Sequence, residues 1–179
     1  ILYRALSNGD YSTGTVTPTA APSMDIQVSS NFERLLFDVG GRDGIALAEQ
    51  MRGFEASKAM QLTNAQRDGA AALFTSMRAD EDDMARAMRW ACEDCAEIVD
   101  PHTAIGLHAA RAVELPHDVP VVTLATAHPA KFPDAVERST GTRPSLPARV
   151  GDLFAREEAY TELPGTYEAV RDHILGHAA

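Results

Sequence analysis

A helix-rich α/β fold is predicted by three observations on this 179-residue sequence. The apolar run Val119-Pro-Val-Val-Thr-Leu124 has the length and β-branched content of a buried strand, and the strand is taken over 119–125. It follows Glu97-Ile-Val99, read as a short strand, and a helix between the two; strand–helix–strand order is the mark of a parallel βαβ unit. Upstream, Met84, Ala87, Met88, Ala91 and Cys95 repeat at helical spacing.

Taken in order, residues 1–23 are rich in Ser, Thr, Gly and Pro after an apolar start, predicting a helix end, a loop and a short strand near Thr15-Val-Thr17. Ser30-Asn-Phe-Glu33 has the spacing of a capping box, opening a helix through about Phe37 that stops at Gly40-Gly41. A second helix is expected from about Asp43 to Ser57, with Ile45, Leu47, Ala48, Met51 and Phe54 mostly on one face. The stretch 64–75 is ambiguous. The 80–95 helix starts with Asp80, Glu81, Asp82 and Asp83, carboxylates that suit the positive end of a helix dipole. Asp100 caps the next helix and Pro101 fills its first position; that helix is expected to run to about Glu114. Beyond Pro133 come a short helix near 134–139, a Pro-rich link at 143–147 and a final helix at about 166–177. Domain organisation is expected as 1–147 for the α/β region and 148–179 for a helical extension.

Composition narrows the function. The chain is 45% hydrophobic and 23% charged, as folded globular chains are. Sixteen basic residues against 26 acidic ones give a formal net charge of -10, which argues against nucleic acid and anionic membranes as partners. No stretch approaches the roughly 20 apolar residues that span a bilayer. No signal peptide is recognisable at Ile1, and because the sequence starts without Met, its N-terminus is expected to lie elsewhere. Cys92 and Cys95 are read as small buried helix residues rather than half of a zinc site, so no metal is expected. With no other cysteine to pair with, the expected compartment is cytoplasmic.

Candidate binding residues gather where elements begin and end. Open α/β sheets bind ligands at the carboxyl ends of their strands, which puts weight on Leu124-Ala-Thr-Ala-His-Pro-Ala-Lys-Phe-Pro133. Thr126 either offers its hydroxyl to a ligand or caps the following turn. His128 and Lys131 either hold an anion such as a phosphate or are a backbone-bonded His and a surface Lys. His102 and Thr103 flank a helix N-terminus, where free amides favour anions; capping by Asp100 alone is the plainer alternative. Ser29-Ser-Asn-Phe-Glu-Arg34 is another helix start, with small hydroxyls, an amide and an Arg, and a surface of this kind could bind phosphate or carboxylate, although a capping box explains Ser30 and Glu33 without any ligand. Gly40-Gly-Arg-Asp-Gly44 lacks the spacing of a nucleotide loop and is read as a connecting turn.

The stretch Leu124–Pro133, together with Asp100-Pro-His-Thr-Ala-Ile-Gly106 and Pro22-Ser-Met-Asp-Ile-Gln-Val-Ser-Ser-Asn-Phe-Glu-Arg34, resembles the C-terminal half of threonine synthase. Ile1-Leu-Tyr-Arg4 and Gly9-Asp-Tyr11 fit the same family, so the resemblance runs over about 1–136. It implies a portion of the three-layer parallel-sheet fold of fold-type II pyridoxal-phosphate (PLP) enzymes, incomplete as it stands. It implies conversion of O-phosphohomoserine and water to threonine and phosphate in a longer parent protein. It puts Thr126 at the cofactor's pyridine nitrogen, Asn31 and Arg34 at an anion, and the 100–106 segment beside the cofactor. Only Lys58 and Lys131 are present, and neither lies in the Ser-Phe-Lys-Asp context of the family's Schiff-base lysine. The Gly-Asn-Phe-Gly-type loop for the cofactor phosphate is absent as well. The expectation is a chain inactive alone, forming one wall of an active site whose partner is the missing N-terminal half. The alternatives are a free-standing non-catalytic α/β module that binds a partner or small anion and, within PLP chemistry, a related phospho-lyase.

Overall fold

The computed structural model describes residues 1–116 and 118–177. Among the described residues there are eight helices: α1 Leu2–Asn8, α2 Phe32–Val39, α3 Gly44–Ser57, α4 Asn64–Ala71, α5 Glu81–Cys95, α6 Pro101–Ala112, α7 Pro133–Thr140 and α8 Tyr167–His177. Short 3-10 turns lie at Pro129–Lys131, Ala148–Val150 and Leu153–Ala155. The chain divides into two compact units, Ile1–Pro144 and Ser145–Ala179.

The first unit has two hydrophobic clusters. One joins Ala5 of α1, Phe32 and Leu36 of α2 and Phe54 of α3 around Tyr11, with Met60 and Leu62. The Tyr11 ring stacks on Phe32 at 5.0 Å and tilts against Phe54 at 5.1 Å. Its hydroxyl donates to the Ser29 carbonyl (3.2 Å) and accepts from the Ser29 N–H (2.8 Å), so the buried phenol leaves no polar atom unmatched. The second cluster packs Met84, Ala87 and Met88 of α5 against Ala104 of α6, Val136 of α7 and Ala21. The small residues Ala87 and Ala104 let α5 and α6 come close, and Ile98 and Val99 pack on the same cluster.

Local signals decide most helix starts. Asp80 accepts from the Asp83 N–H and Asp83 returns the bond, a capping box. Thr63 and Gln66 form a second one at α4, which resolves the ambiguous 64–75 stretch as helix to Ala71. Asp43 accepts from the Ile45 and Ala46 amides, each at 3.0 Å, so the glycine-rich 40–44 segment is a connecting turn that caps α3.

Three expectations need correction. The Ser30–Glu33 box does not form: α2 starts from Asn31 with no side-chain cap, and Asn31 is itself helical in φ and ψ. Tyr11 takes both backbone groups of Ser29, which sets the chain's entry into α2 by a tertiary contact instead. Cys95 is exposed rather than buried, while Cys92 is partly covered. The segments expected as strands (15–17, 97–99 and 119–125) carry no ladder among the described residues; only an isolated antiparallel bridge, Asp10 to Gln61, occurs there. A strand is defined by a neighbour, and none is supplied to 119–125. Its side chains stand open accordingly, Val122 at 81% and Leu124 at 74% exposure.

The 119–125 segment nonetheless lies against α6 at Thr123. Gly106 makes that approach possible, since a Cβ there would sit 2.9 Å from Thr123 Cγ2. The second unit, by itself, has two 3-10 turns and α8, with Phe154, Tyr167, Ile174 and Leu175 exposed.

Candidate functional site

A cleft of about 400 Å³ opens where the 119–125 segment ends. Thr126, Lys131 and His102 line it, with Ile105, Leu124 and Phe132 as apolar wall. Ser23 and Met24 approach from the loop after the first helix. Three of the sequence-derived candidates are thus brought to one place from two parts of the chain.

His102 and the Thr126 backbone are both held through the start of α6. Asp100 is fully buried and caps α6. Its carboxylate accepts from the His102 N–H (2.9 Å), the His102 Nδ1 (2.8 Å), the Thr103 N–H (3.2 Å) and the Thr103 hydroxyl. Burial pushes the Asp100 carboxyl upward, but the hydrogen bonds from Thr103 and His102 outweigh it and hold the group below its ordinary value of 3.8. The His102 ring packs on Phe132 at 4.6 Å, and its Nε2 accepts from the Ser23 N–H at 3.2 Å. A carboxylate on one side and an amide donor on the other fix the tautomer: the proton sits on Nδ1. Thr103 is buried, and its oxygen accepts the Thr126 N–H at 3.2 Å. It therefore tethers the cleft wall and does not line the cleft.

His128 accepts from the Ala130 N–H through Nδ1 at 3.1 Å, capping the 129–131 turn. That leaves Nε2 as the nitrogen that carries the proton. Lys131 projects from the same turn, its ammonium 5.9 Å from the Phe132 ring centre. Asn31 and Arg34 are not brought into the cleft. Arg34 donates to Asn31 Oδ1 at 2.7 Å across the first turn of α2, and both are exposed. The groups that sequence reasoning missed are Ser23, Met24, Ile105 and Phe132. Ser23 meets His102 across 79 positions, and no local pattern signals such a contact. No cluster of three or more metal-ligating side chains occurs among the described residues.

Residues 103–174 match the family model described as threonine synthase, C-terminal. Threonine synthase from Pseudomonas aeruginosa is 44% identical over 99% of this chain and 38% of its own length. Threonine synthase from Corynebacterium glutamicum is 31% identical over 98% of the chain and again 38% of its own. A crystal structure of PLP bound threonine synthase from Brucella melitensis superposes with a TM-score of 0.84 at 39% identity, covering 98% of this chain and 38% of that one. Over nearly its whole length the chain is similar to threonine synthases. It spans well under half the length of the relatives it matches, and what it matches is their C-terminal part. Threonine synthase from yeast agrees, with a TM-score of 0.80 at 29% identity over 88% of the chain. The helix-rich architecture is accordingly a portion of the α/β fold of this PLP-dependent family, as the resemblance implied. No helix among the described residues is long and apolar enough to cross a membrane.

Proposed function

We propose that this chain is the C-terminal wall of the active site of a cytoplasmic threonine synthase. The whole protein would convert O-phosphohomoserine and water to threonine and phosphate with PLP. The observation that carries the reading is the convergence of Thr126, Lys131 and His102 on one cleft at the end of the 119–125 segment, in a chain that superposes on a PLP bound threonine synthase.

The residues present fit one side of the cofactor. Thr126 is exposed at the cleft, and a neutral hydroxyl there donates a hydrogen bond to a pyridine nitrogen that carries no proton. Bound PLP would supply an electron sink for carbanions of the amino-acid substrate. Ile105, Leu124 and Phe132 would give the apolar surface on which an aromatic ring packs. Lys131 would supply a cation for a phosphate group at the cleft, whereas His128, which caps the 129–131 turn, is not among the residues that line it. The Schiff-base lysine and the loop for the cofactor phosphate have no counterpart in this sequence. They belong to the remaining part of the protein, and the chain alone is proposed to be inactive. The domain reading of 1–147 for the cofactor region and 148–179 for the extension goes with this proposal.

Product analysis tests the reaction. The whole protein, given PLP and O-phosphohomoserine, is expected to release threonine and phosphate in equal amounts, and the isolated chain neither. Phosphate release with a different amino-acid product would favour another phospho-lyase. Turnover by the isolated chain would overturn the account of where the lysine lies.

A further inference from the structure

The start of α6 carries more hydrogen bonds than capping needs. A cap requires an acceptor for the His102 and Thr103 amides, and Asp100 provides it with one oxygen for each. The same two oxygens also receive the side chains of these residues, Nδ1 of His102 on Oδ2 and the Thr103 hydroxyl on Oδ1. A carboxylate only accepts, so both side chains must donate toward it. Each then has its other side left as an acceptor, and each uses it on a distant backbone N–H. His102 Nε2 takes Ser23, and Thr103 Oγ1 takes Thr126. Ser23 and Thr126 belong to separate stretches of the wall of the same cleft.

We propose that Asp100 is the positioning residue of this cleft: through His102 and Thr103, as paired acceptors, it holds the Ser23 and Thr126 backbones and so sets where the Thr126 hydroxyl stands. The link to the cofactor rests on the function proposed above; the network does not. The carboxylate, unlike a neutral cap, orients both arms at once. Asn in its place still caps the helix, but it has one accepting oxygen and one donating NH2. One arm must then reverse, either turning His102 to the tautomer whose Nε2–H opposes the Ser23 N–H or leaving Thr103 without its acceptor.

The test uses the whole protein with Asp100→Asn, Thr103→Val and Thr103→Ser. Hydrogen exchange is followed by mass spectrometry on the peptides that carry Ser23 and Thr126, with the His102 tautomer read from nitrogen chemical shifts. Losing one such bond is worth roughly a tenfold rise in exchange at its amide. Asp100→Asn is expected to give that rise at Ser23 or Thr126, Thr103→Val at Thr126 alone, and Thr103→Ser at neither. Wild type should carry the His102 proton on Nδ1. PLP affinity should fall several-fold in Thr103→Val and be restored in Thr103→Ser. Unchanged exchange at both amides in a folded Thr103→Val and Asp100→Asn, or a wild-type proton on Nε2, would overturn the network. If Asp100→Asn does not fold, the Thr103 pair decides. Exchange changes without any change in PLP affinity would uphold the network and remove the cofactor from Thr126.

Discussion

α2 and α6 both start in short polar segments, Ser29-Ser-Asn-Phe-Glu-Arg34 and Asp100-Pro-His-Thr103, yet the first keeps its side-chain bonding to itself while the side chains of the second tie distant parts of the chain together. At α2 the cap position makes no side-chain bond to the helix, and Arg34 and Asn31 satisfy one another at the surface. At α6 the cap is buried, and the two side chains bonded to it each reach another stretch of backbone. The difference lies less in the residue types than in burial. Water can replace any bond at an exposed helix start, so such bonds organise little. A buried carboxylate has no water to fall back on, so its partners are held in orientation and can hold others. The comparison also shows what the α6 start is not. Its leading amides already bond Asp100, so an added anion would compete with a carboxylate rather than meet free N–H groups.

The contrast breaks most easily by removing the two caps. Asp100→Ala orphans the donors of His102 and Thr103 in a buried place and is expected to cost about 3 kcal/mol or more. Asn31→Ala, on the surface, should stay within about 0.5 kcal/mol. Urea denaturation of both variants measures this, and equal losses would erase the distinction.

Gly106 sharpens the same contrast one turn further along α6, where it lines the same cleft as His102. Gly106→Ala puts a methyl 2.9 Å from Thr123 Cγ2, so the 119–125 segment must shift. The expected cost is about 1–2 kcal/mol, with faster exchange along 121–126. A variant as stable as wild type would mean that the segment is free to move off the helix.

Acid gives a smaller, signed effect. Asp100 has its folded pKa held below 3.8, so its contribution to stability is complete above that value. It is lost as pH falls below 3.8 toward the depressed folded value. Asp100→Asn should flatten the decline in stability over this acid range, whereas Asn31→Ala should leave it as it is. A wild-type curve matched by Asp100→Asn would show that Asp100 does not titrate with folding.

The smallest effect concerns a helix end. Ala96 closes α5 at φ 56, a left-handed conformation that costs a Cβ-bearing residue roughly 1 kcal/mol. Ala96→Gly should recover about half to all of that on thermal or urea melts, with no change at the cleft.

Legibility in the sequence follows the range of the interactions. The Asp100 cap, the turn before α3 and the periodicity of α5 rest on neighbours within four residues and were readable, whereas Asp80, expected in the first turn of α5, is its N-cap. The Thr63–Gln66 box had the same local signal and was overlooked inside an otherwise ambiguous stretch. Ser30 was misread because Tyr11, distant in sequence, captures Ser29 and moves the helix start. The strand signal in 119–125 reports apolar, β-branched residues, but a ladder also needs a partner that the described residues do not contain. Thr126, His102 and Lys131, which line the cleft, could be singled out because they sit at element ends. Ser23 and the bond from Thr126 to Thr103 were not, since each joins residues far apart.

The central claim is that this cleft holds the ring of PLP against Thr126. Titrating the whole protein with PLP, as wild type, Thr126→Ser and Thr126→Val, and following cofactor absorbance, tests it most directly. A single hydroxyl bond to the ring nitrogen predicts an affinity loss of about 5- to 30-fold for Thr126→Val, an altered absorbance band, and near-wild-type behaviour for Thr126→Ser. Wild-type affinity and spectrum in Thr126→Val would contradict it.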